Sequence, residues 1–391
     1  MNNRINGIKR VTLKKLIQSA FKEQKTPKRI LRYFKYVKMA KDAGVVDFRW
    51  DRLANEYCYD DFEYPEVSAE TKKYFHERGY TTNKIAWFGM TKENMRDYLS
   101  DFEFYNVKAY VNGKGVAWFD DKLNTYYLLK PFDKYLPRHF YWVKGNDAFP
   151  LDVPEKVVLD KTKAVLQVLD KYPIAAKACK GGHGAGFMKL EKKDGKFYIS
   201  KQEVPESKMV ETIKKLDNYI ITEYITPHDY FLNLCGPETY AVIRVLAVFD
   251  KDDGPQITSA SIRLGCKDAG VATGYAGCIY AGVDLDDGTI YHALYRPYDH
   301  EYKFEPIENH PDTGMRIEGS KIPNFDEFKK LVKDVSAYLP FTPYLTFDVI
   351  PHNGGFTILE INSHGQPIIM EAYYPFRKNK YNRRVLHLED K

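Results

Sequence analysis

One segment near the C-terminal end limits the fold of this chain more than any other. Residues 344–350 and 356–362 flank the run Asn353-Gly354-Gly355, and two strands joined by a tight turn are predicted there, a β-hairpin. Leu345, Phe347, Val349, Ile358 and Ile361 give both strands a buried character, yet Asp348, Glu360 and Asn362 stand among them. Side chains two apart on a strand share a face, so Glu360 and Asn362 point the same way. Pairing across the turn brings Asp348 onto that face. Three oxygen donors around one point are what Mg²⁺ takes when waters and phosphate oxygens complete its shell. An acidic hairpin facing solvent is the other reading. The apolar neighbours weigh against it, because a buried carboxylate needs a partner.

A second feature lies upstream. Pro173-Ile174-Ala175-Ala176-Lys177-Ala178-Cys179 is an apolar run with one lysine inside it, and it leads into Lys180-Gly181-Gly182-His183-Gly184-Ala185-Gly186-Phe187. Glycines at 181, 182, 184 and 186 let the backbone turn its N–H groups toward an anion such as phosphate. No Gly-Lys-Ser/Thr follows, which excludes a Walker A loop. A β-type segment follows in place of a helix, which argues against a dinucleotide fingerprint. A flap over phosphates and a flexible turn are both open readings of the loop alone. Lys177 favours the flap, because a buried ammonium needs an anion. Residues 219–225 then form a β-branched strand that ends in Glu223-Tyr224-Ile225. Arg244 and Arg263 each interrupt an apolar strand, where an arginine takes a bidentate anion or a structural salt bridge.

A lysine strand, a glycine flap, a strand ending in glutamate and a carboxylate hairpin, in that order, resemble the ATP-grasp superfamily. Its members hold ATP between two α+β lobes, with two lysines on the phosphates, a linker strand reading adenine, and Mg²⁺ on acidic residues. The resemblance extends to the sugar-transfer-associated ATP-grasp family, found with bacterial surface-polysaccharide genes. It rests on Asp121-Lys122, the 177–186 segment, Glu223 with His228, the 239–244 segment and Arg263-Leu264-Gly265. It continues through Ala276-Gly277-Cys278-Ile279, His310-Pro311-Asp312-Thr313-Gly314, Phe347-Asp348-Val349 and Glu360-Ile361-Asn362, covering about residues 115–372. Ala272-Thr273 stand where the family usually shows Asp-Asn, and Cys278 replaces a glycine. Ser363-His364 stand where other ATP-grasp ligases often carry an arginine. These departures bear on substrate identity more than on nucleotide binding.

The resemblance implies an α+β ATP-grasp fold and an ADP-forming carboxylate–amine ligase that works through an acyl phosphate. Its substrate would be a sugar, uronic acid or amino acid, free or carried on a nucleotide or lipid. A glycan kinase and a non-catalytic ATP-binding scaffold for glycosyltransferases are the alternatives. Lys122 and Lys177 would hold phosphate, with Gly181, Gly182, His183, Gly184 and Gly186 as the flap and Lys180 a solvated flap residue. Glu223, Tyr224 and Ile225 would border adenine and ribose, and Asp348, Glu360 and Asn362 would hold one or two Mg²⁺. Arg244 and Arg263, with Lys177, would act on the γ-phosphate or acceptor carboxylate. His228 and His310-Pro311-Asp312 would shape the acceptor pocket, and Cys179 and Cys278 would be small packing residues.

The chain of 391 residues suffices for two or three domains. Five cysteines without a Cys-x-x-Cys pair point to reduced thiols in the cytoplasm, not to a disulfide framework or zinc site. No apolar run is long enough to span a membrane, and no secretory signal is expected. Residues 1–41 hold thirteen Lys or Arg and one acid, Glu23, a balance of +12; the rest of a chain of net +6 therefore carries −6. Helical spacing over 11–21 and 30–39, with Thr26-Pro27 opening the second helix, predicts a basic helical hairpin. Two readings stand: contact with an anionic membrane, peripheral to its inner face, or a helix pair docked on the body with lysines outward, which is preferred. No nucleic-acid reading motif accompanies the charge.

The expected layout is a basic helical arm at 1–45 and a mixed helical domain at 46–119, with helices over 68–78 and 91–102. Asn112-Gly113 is read as the turn of a strand pair leading to Asp121-Lys122. The first ATP-grasp lobe spans 120–225, the second spans 226–372 with a helix over 325–338, and 373–391 form a tail or closing helix.

Overall fold

The computed structural model describes residues 12–24, 26–46, 49–64, 66–119, 121–153, 157–181, 186–267, 278–296, 304–363, 365 and 368–388. The chain divides into two compact units, one of residues 1–113, 300–304 and 366–391, the other of 114–299 and 305–365.

The first unit is helical: α1 (Leu13–Glu23), α2 (Pro27–Asp42), α3 (Trp50–Glu63), α4 (Ala69–His76), α5 (Asn83–Phe88) and α6 (Asp101–Tyr110). Thr12, Thr26 and Ser68 cap α1, α2 and α4 by accepting a backbone N–H. The opening of α2 at Thr26-Pro27 is the one the sequence predicts. A buried polar cluster ties three helices together: His76 Nε2 lies 2.7 Å from Asp60 Oδ2 and its Nδ1 lies 3.2 Å from the Tyr36 hydroxyl. A second cluster holds the C-terminal segment. Lys84 stands 3.4 Å from both Asp101 and Glu371, and Glu371 accepts the Leu99 N–H at 2.7 Å.

The structure departs from two local expectations. Residues 91–102 do not form one helix: a 3₁₀ turn at Met95–Asp97 is followed by α6. The break follows from a capping box, because Ser100 Oγ accepts the Glu103 N–H while Glu103 accepts the Ser100 N–H. Nor does Asn112-Gly113 close a strand pair. A 3₁₀ turn at Gly113–Gly115 runs into the helical turn α7 (Val116–Phe119).

The second unit continues with α8 (Lys122–Leu128) and contains two antiparallel sheets. The eight-stranded sheet is built from β1 (His139–Lys144), β2 (Asp147–Pro150), β3 (Leu159–Asp160), β4 (Ile174–Ala178), β5 (Met188–Lys193), β6 (Lys196–Ile199), β7 (Gln202–Val204) and β8 (Tyr219–Glu223). Its order is β3-β2-β1-β8-β4-β5-β6-β7. Helices α9 (Lys161–Leu169) and α10 (Glu206–Lys215) cover it, contributing Ala164, Val165, Leu169, Met209 and Ile213 to its core.

After α11 (Asp229–Cys235) comes the seven-stranded sheet: β9 (Ala241–Asp250), β10 (Gly254–Gly265), β11 (Cys278–Val283), β12 (Ile290–Arg296), β13 (Glu305–Ile307), β14 (Tyr344–His352) and β15 (Gly355–Asn362). Its order is β13-β12-β11-β10-β9-β14-β15. Alternation sorts its two faces. Ile243, Val245, Ile262, Ile279, Leu345 and Phe347 lie in one core with Phe328, Leu331 and Val335 of α12 (Phe325–Tyr338). Arg244, Ser261, Arg263, Tyr280, Thr346 and Asp348 occupy the alternate positions and so the other face.

A β-bulge completes that polar face. Val349 pairs with Ile358 and Asp348 with Glu360, so Leu359 is the extra residue. In an unbulged strand Phe356, Ile358, Glu360 and Asn362 would all share a side. The inserted residue sends Phe356 and Ile358 into the core and turns Glu360 and Asn362 onto the side of Asp348.

Candidate functional site: two lysines and a carboxylate hairpin

Lys122 opens α8, where Asp121 caps the helix by accepting the Leu123 N–H at 2.9 Å. The Lys122 N–H donates to Cys179 O at 2.9 Å, which fixes the start of α8 against the end of β4. From there Lys122 Nζ reaches Gly181 O at 3.1 Å and Glu360 Oε1 at 3.3 Å. A residue of the glycine loop and a residue of the hairpin thus meet at one ammonium.

Lys177 occupies the fourth position of β4, in register with Ile220 of β8. Burial pushes its ammonium down to about 8; Glu360 opposes that shift and Lys122, a like charge, adds to it. An ammonium strained in this way is stabilised by added negative charge. His139, across β8 from Ala175 on the same face, packs on the Tyr126 ring in a tilted arrangement with centroids 4.3 Å apart. Burial, and then Lys177, push its imidazole down to about 3, so it stays neutral. The residue pattern does not mark His139, because β1 is not among the strands the sequence predicts.

Asp348 is 7% exposed and is shared by two guanidinium groups. Arg263 Nη2 donates to Oδ1 at 2.7 Å, and Arg244 Nη1 lies 3.3 and 3.2 Å from the two oxygens. Burial raises the Asp348 carboxyl, and Arg244 and Arg263 more than offset it, leaving the group below its ordinary value. The two arginines therefore meet the third metal candidate directly, a contact that residue patterns did not reveal. Gly365 makes room for this packing: a Cβ there would lie 2.1 Å from Thr346 Oγ1 and 2.9 Å from Arg244 Nη2.

Glu360 stands opposite Asp348 and Asn362 opposite Thr346. Glu360 Oε2 and the Asn362 side chain make no hydrogen bond among the described residues, and neither residue is fully buried. Glu360 and Asn362 present hard oxygens, the donor type Mg²⁺ takes, on the side of Asp348, whose own two oxygens meet Arg244 and Arg263.

The remaining candidates sit at distinct places. Glu223 ends β8, and its N–H donates to Arg138 O at 2.8 Å. Tyr224 donates its N–H to Pro173 O at 3.0 Å, and its ring lies 4.8 Å from Lys189 Nζ; Ile225 follows, partly buried. Gly186 has φ +77° and packs so closely on Tyr219 that a Cβ would come within 2.6 Å of its hydroxyl. Gly182, His183, Gly184, Ala272, Thr273, Ala276, Gly277 and His364 lie outside the described residues. His228 caps α11, accepting the Tyr230 N–H at 3.1 Å.

His310 and Asp312 join Cys266 rather than the lysines, with ligand atoms within 4.8 Å of one another. Each is already engaged in closing its loop. His310 Nε2 lies 3.2 Å from Gly265 O, its Nδ1 faces the Asp312 N–H at 3.3 Å, and Asp312 accepts the Lys267 N–H at 2.7 Å. All five cysteines are buried and none forms a disulfide.

Solved structures similar to this chain include the D-alanine–D-alanine ligase of Bacillus anthracis, with 15% identity over 69% of this chain and 68% of that one, TM-score 0.35. D-Alanyl-alanine synthetase A of Vibrio cholerae has 10% identity over 70% and 65%, TM-score 0.39. An L-amino acid ligase of Bacillus licheniformis has 10% identity over 72% and 53%, TM-score 0.36. The chain spans less than two thirds of the latter two proteins. No curated protein matches the sequence. The family model for sugar-transfer-associated ATP-grasp proteins matches residues 104–373, well over half of the chain. With its polar sheet face, its two converging lysines and that match, the chain belongs to the sugar-transfer-associated ATP-grasp family.

Proposed function

We propose that the protein is an ATP-dependent carboxylate–amine ligase acting in the cytoplasm on a sugar, uronic acid or amino acid for a surface polysaccharide such as capsule. One observation carries this reading: Lys122 and Lys177, from different elements, converge on Glu360, and the second ammonium is destabilised by burial and by the first. Two cations beside a hard-oxygen donor set complement a polyphosphate bearing a divalent cation.

In this reading Lys122 and Lys177 bind the phosphates, and the 181–186 backbone closes over them. Glu223, Tyr224 and Ile225 border the adenosine. Asp348, Glu360 and Asn362 would hold Mg²⁺, which would supply positive charge to offset that of the phosphates. A carboxylate oxygen of the acid attacks the γ-phosphorus, and the bond to the β,γ-bridging oxygen breaks, releasing ADP. Lys177 and Arg263 stabilise the charge that spreads over the transferred phosphoryl oxygens. Arg244, alongside Arg263, orients the acceptor carboxylate through paired N–H donors. The amine then attacks the acyl carbon; phosphate leaves, and the amine gives up a proton. The buried side chains around Lys177 keep water from the acyl phosphate. His228 and the loop of His310 and Asp312 support the acceptor side.

Turnover assays against panels of uronic acids and amino acids, with mass analysis of products, test the assignment. Formation of ADP, inorganic phosphate and a conjugate lighter by one water is the expected result. ADP with a phosphorylated glycan would instead identify a kinase, and nucleotide binding without substrate-dependent turnover would identify a scaffold.

A further inference from the structure

The N-terminal helices present a surface that nucleotide chemistry does not use. Leu16 and Ala20 bury one side of α1, while Leu13, Ile17 and Phe21 of the same helix remain 68, 40 and 66% exposed. Positions four apart stack one turn above another, so these three side chains make a continuous apolar line. Leu31 of α2 is 74% exposed. A single exposed leucine is unremarked on any protein surface; a line of three along one helix is not.

The same helices concentrate the positive charge of the chain. Lys14, Lys15, Lys28 and Lys35 are exposed and form no ion pair among the described residues. Residues 1–41 as a whole carry +12 against −6 for the remainder. Such a face meets an anionic partner. Nucleic acid satisfies the lysines but offers nothing to Leu13, Ile17 and Phe21, and a second copy of this chain would set one strongly positive face against another. A bilayer with anionic headgroups satisfies both, taking the apolar line at its headgroup–acyl boundary and the lysines at its phosphates.

We propose that α1 and α2 dock the protein on an anionic phospholipid bilayer through the Leu13–Ile17–Phe21 line and its accompanying lysines. The surface works independently of the ligase chemistry, and it would hold the enzyme where lipid-carried substrates are presented.

Sedimentation of the full-length protein with phosphatidylcholine vesicles, with and without phosphatidylglycerol, tests this. Binding is expected only to the anionic vesicles, and added salt should release the protein. Replacing Leu13, Phe21 and Leu31 together by glutamine keeps every charge and should lower partition by at least about tenfold. Replacing Lys14, Lys15 and Lys28 by glutamine should lower it by about 100-fold, from about fivefold per basic side chain near an anionic surface. All six positions are solvent-exposed, so circular dichroism of both variants should match the wild type, and ATP binding measured on them separates this surface from the nucleotide site. Failure of the wild type to bind phosphatidylglycerol vesicles would overturn the proposal. So would wild-type binding by the glutamine variant of the apolar line, or tighter capture by a DNA duplex than by vesicles.

Discussion

At the scale of single residues, the hairpin carboxylates differ in what they hold. Asp348 neutralises two arginines in a nearly closed environment, whereas the Glu360 side chain is 32% exposed beside Lys122. Asp348→Asn should therefore destabilise the fold by about 3 kcal/mol or more, because it leaves guanidinium charge uncompensated. Glu360→Gln should change stability by no more than about 1 kcal/mol while abolishing turnover. Urea unfolding of both variants checks the contrast; equal losses would mean that Glu360 is as structural as Asp348. Lys177 sets a pH dependence. Its ammonium is lowered to about 8, so nucleotide affinity that depends on its charge should fall as pH rises above that value, by up to about tenfold per unit. The fold responds in the opposite sense. The unfolded chain holds this proton more tightly than the folded protein does, so stability rises between about 8 and the ordinary lysine value. Isothermal titration of nucleotide across this range should show the fall in the wild type and its absence in Lys177→Arg.

At the scale of elements, Lys161 shows how much structure a residue outside the site can carry. It is 2% exposed, and its ammonium donates to Lys214 O at 2.9 Å, Leu216 O at 2.7 Å and Gly145 O. It thereby ties the start of α9 to the end of α10 and to the turn between β1 and β2. Lys161→Met would strand those carbonyls, and a loss of about 3 kcal/mol is expected in chemical denaturation. Elements with strong periodicity are legible in the sequence: residues 325–338 match α12, and β14 and β15 pair about the turn at Asn353-Gly354, although that turn alone would set Asp348 opposite Leu359. The bulge at Leu359 was not readable, because Ile358, Leu359 and Ile361 are all apolar and a period of two cannot say which residue is the extra one. The capping box at Ser100 and Glu103 was present in the sequence but was outweighed by the helix-like spacing upstream. Strands β1 and β2 are not among the strands the sequence predicts, although Gly145-Asn146 between them is a hairpin signal, with Gly145 at φ +57°.

At the scale of the whole molecule, residues distant in sequence form the site: Lys122 before the first sheet, Lys177 inside it, Arg244 and Arg263 in the second, and Glu360 at the second sheet's edge. Motif order singles these residues out as candidates, but the sharing of Asp348 by two arginines depends on strands brought into register, and no local pattern records that. In the proposed function, one nucleotide is held at once by the lysines of the first sheet's side and by the hairpin of the second. Equilibrium binding of a non-hydrolysable ATP analogue, with and without Mg²⁺, to wild type, Lys177→Ala and Glu360→Gln tests this most directly. Wild-type affinity should rise with Mg²⁺, Glu360→Gln should lose that rise, and Lys177→Ala should bind at least about tenfold more weakly while keeping it. Both variants binding the analogue as the wild type does, with the same response to Mg²⁺, would contradict the account.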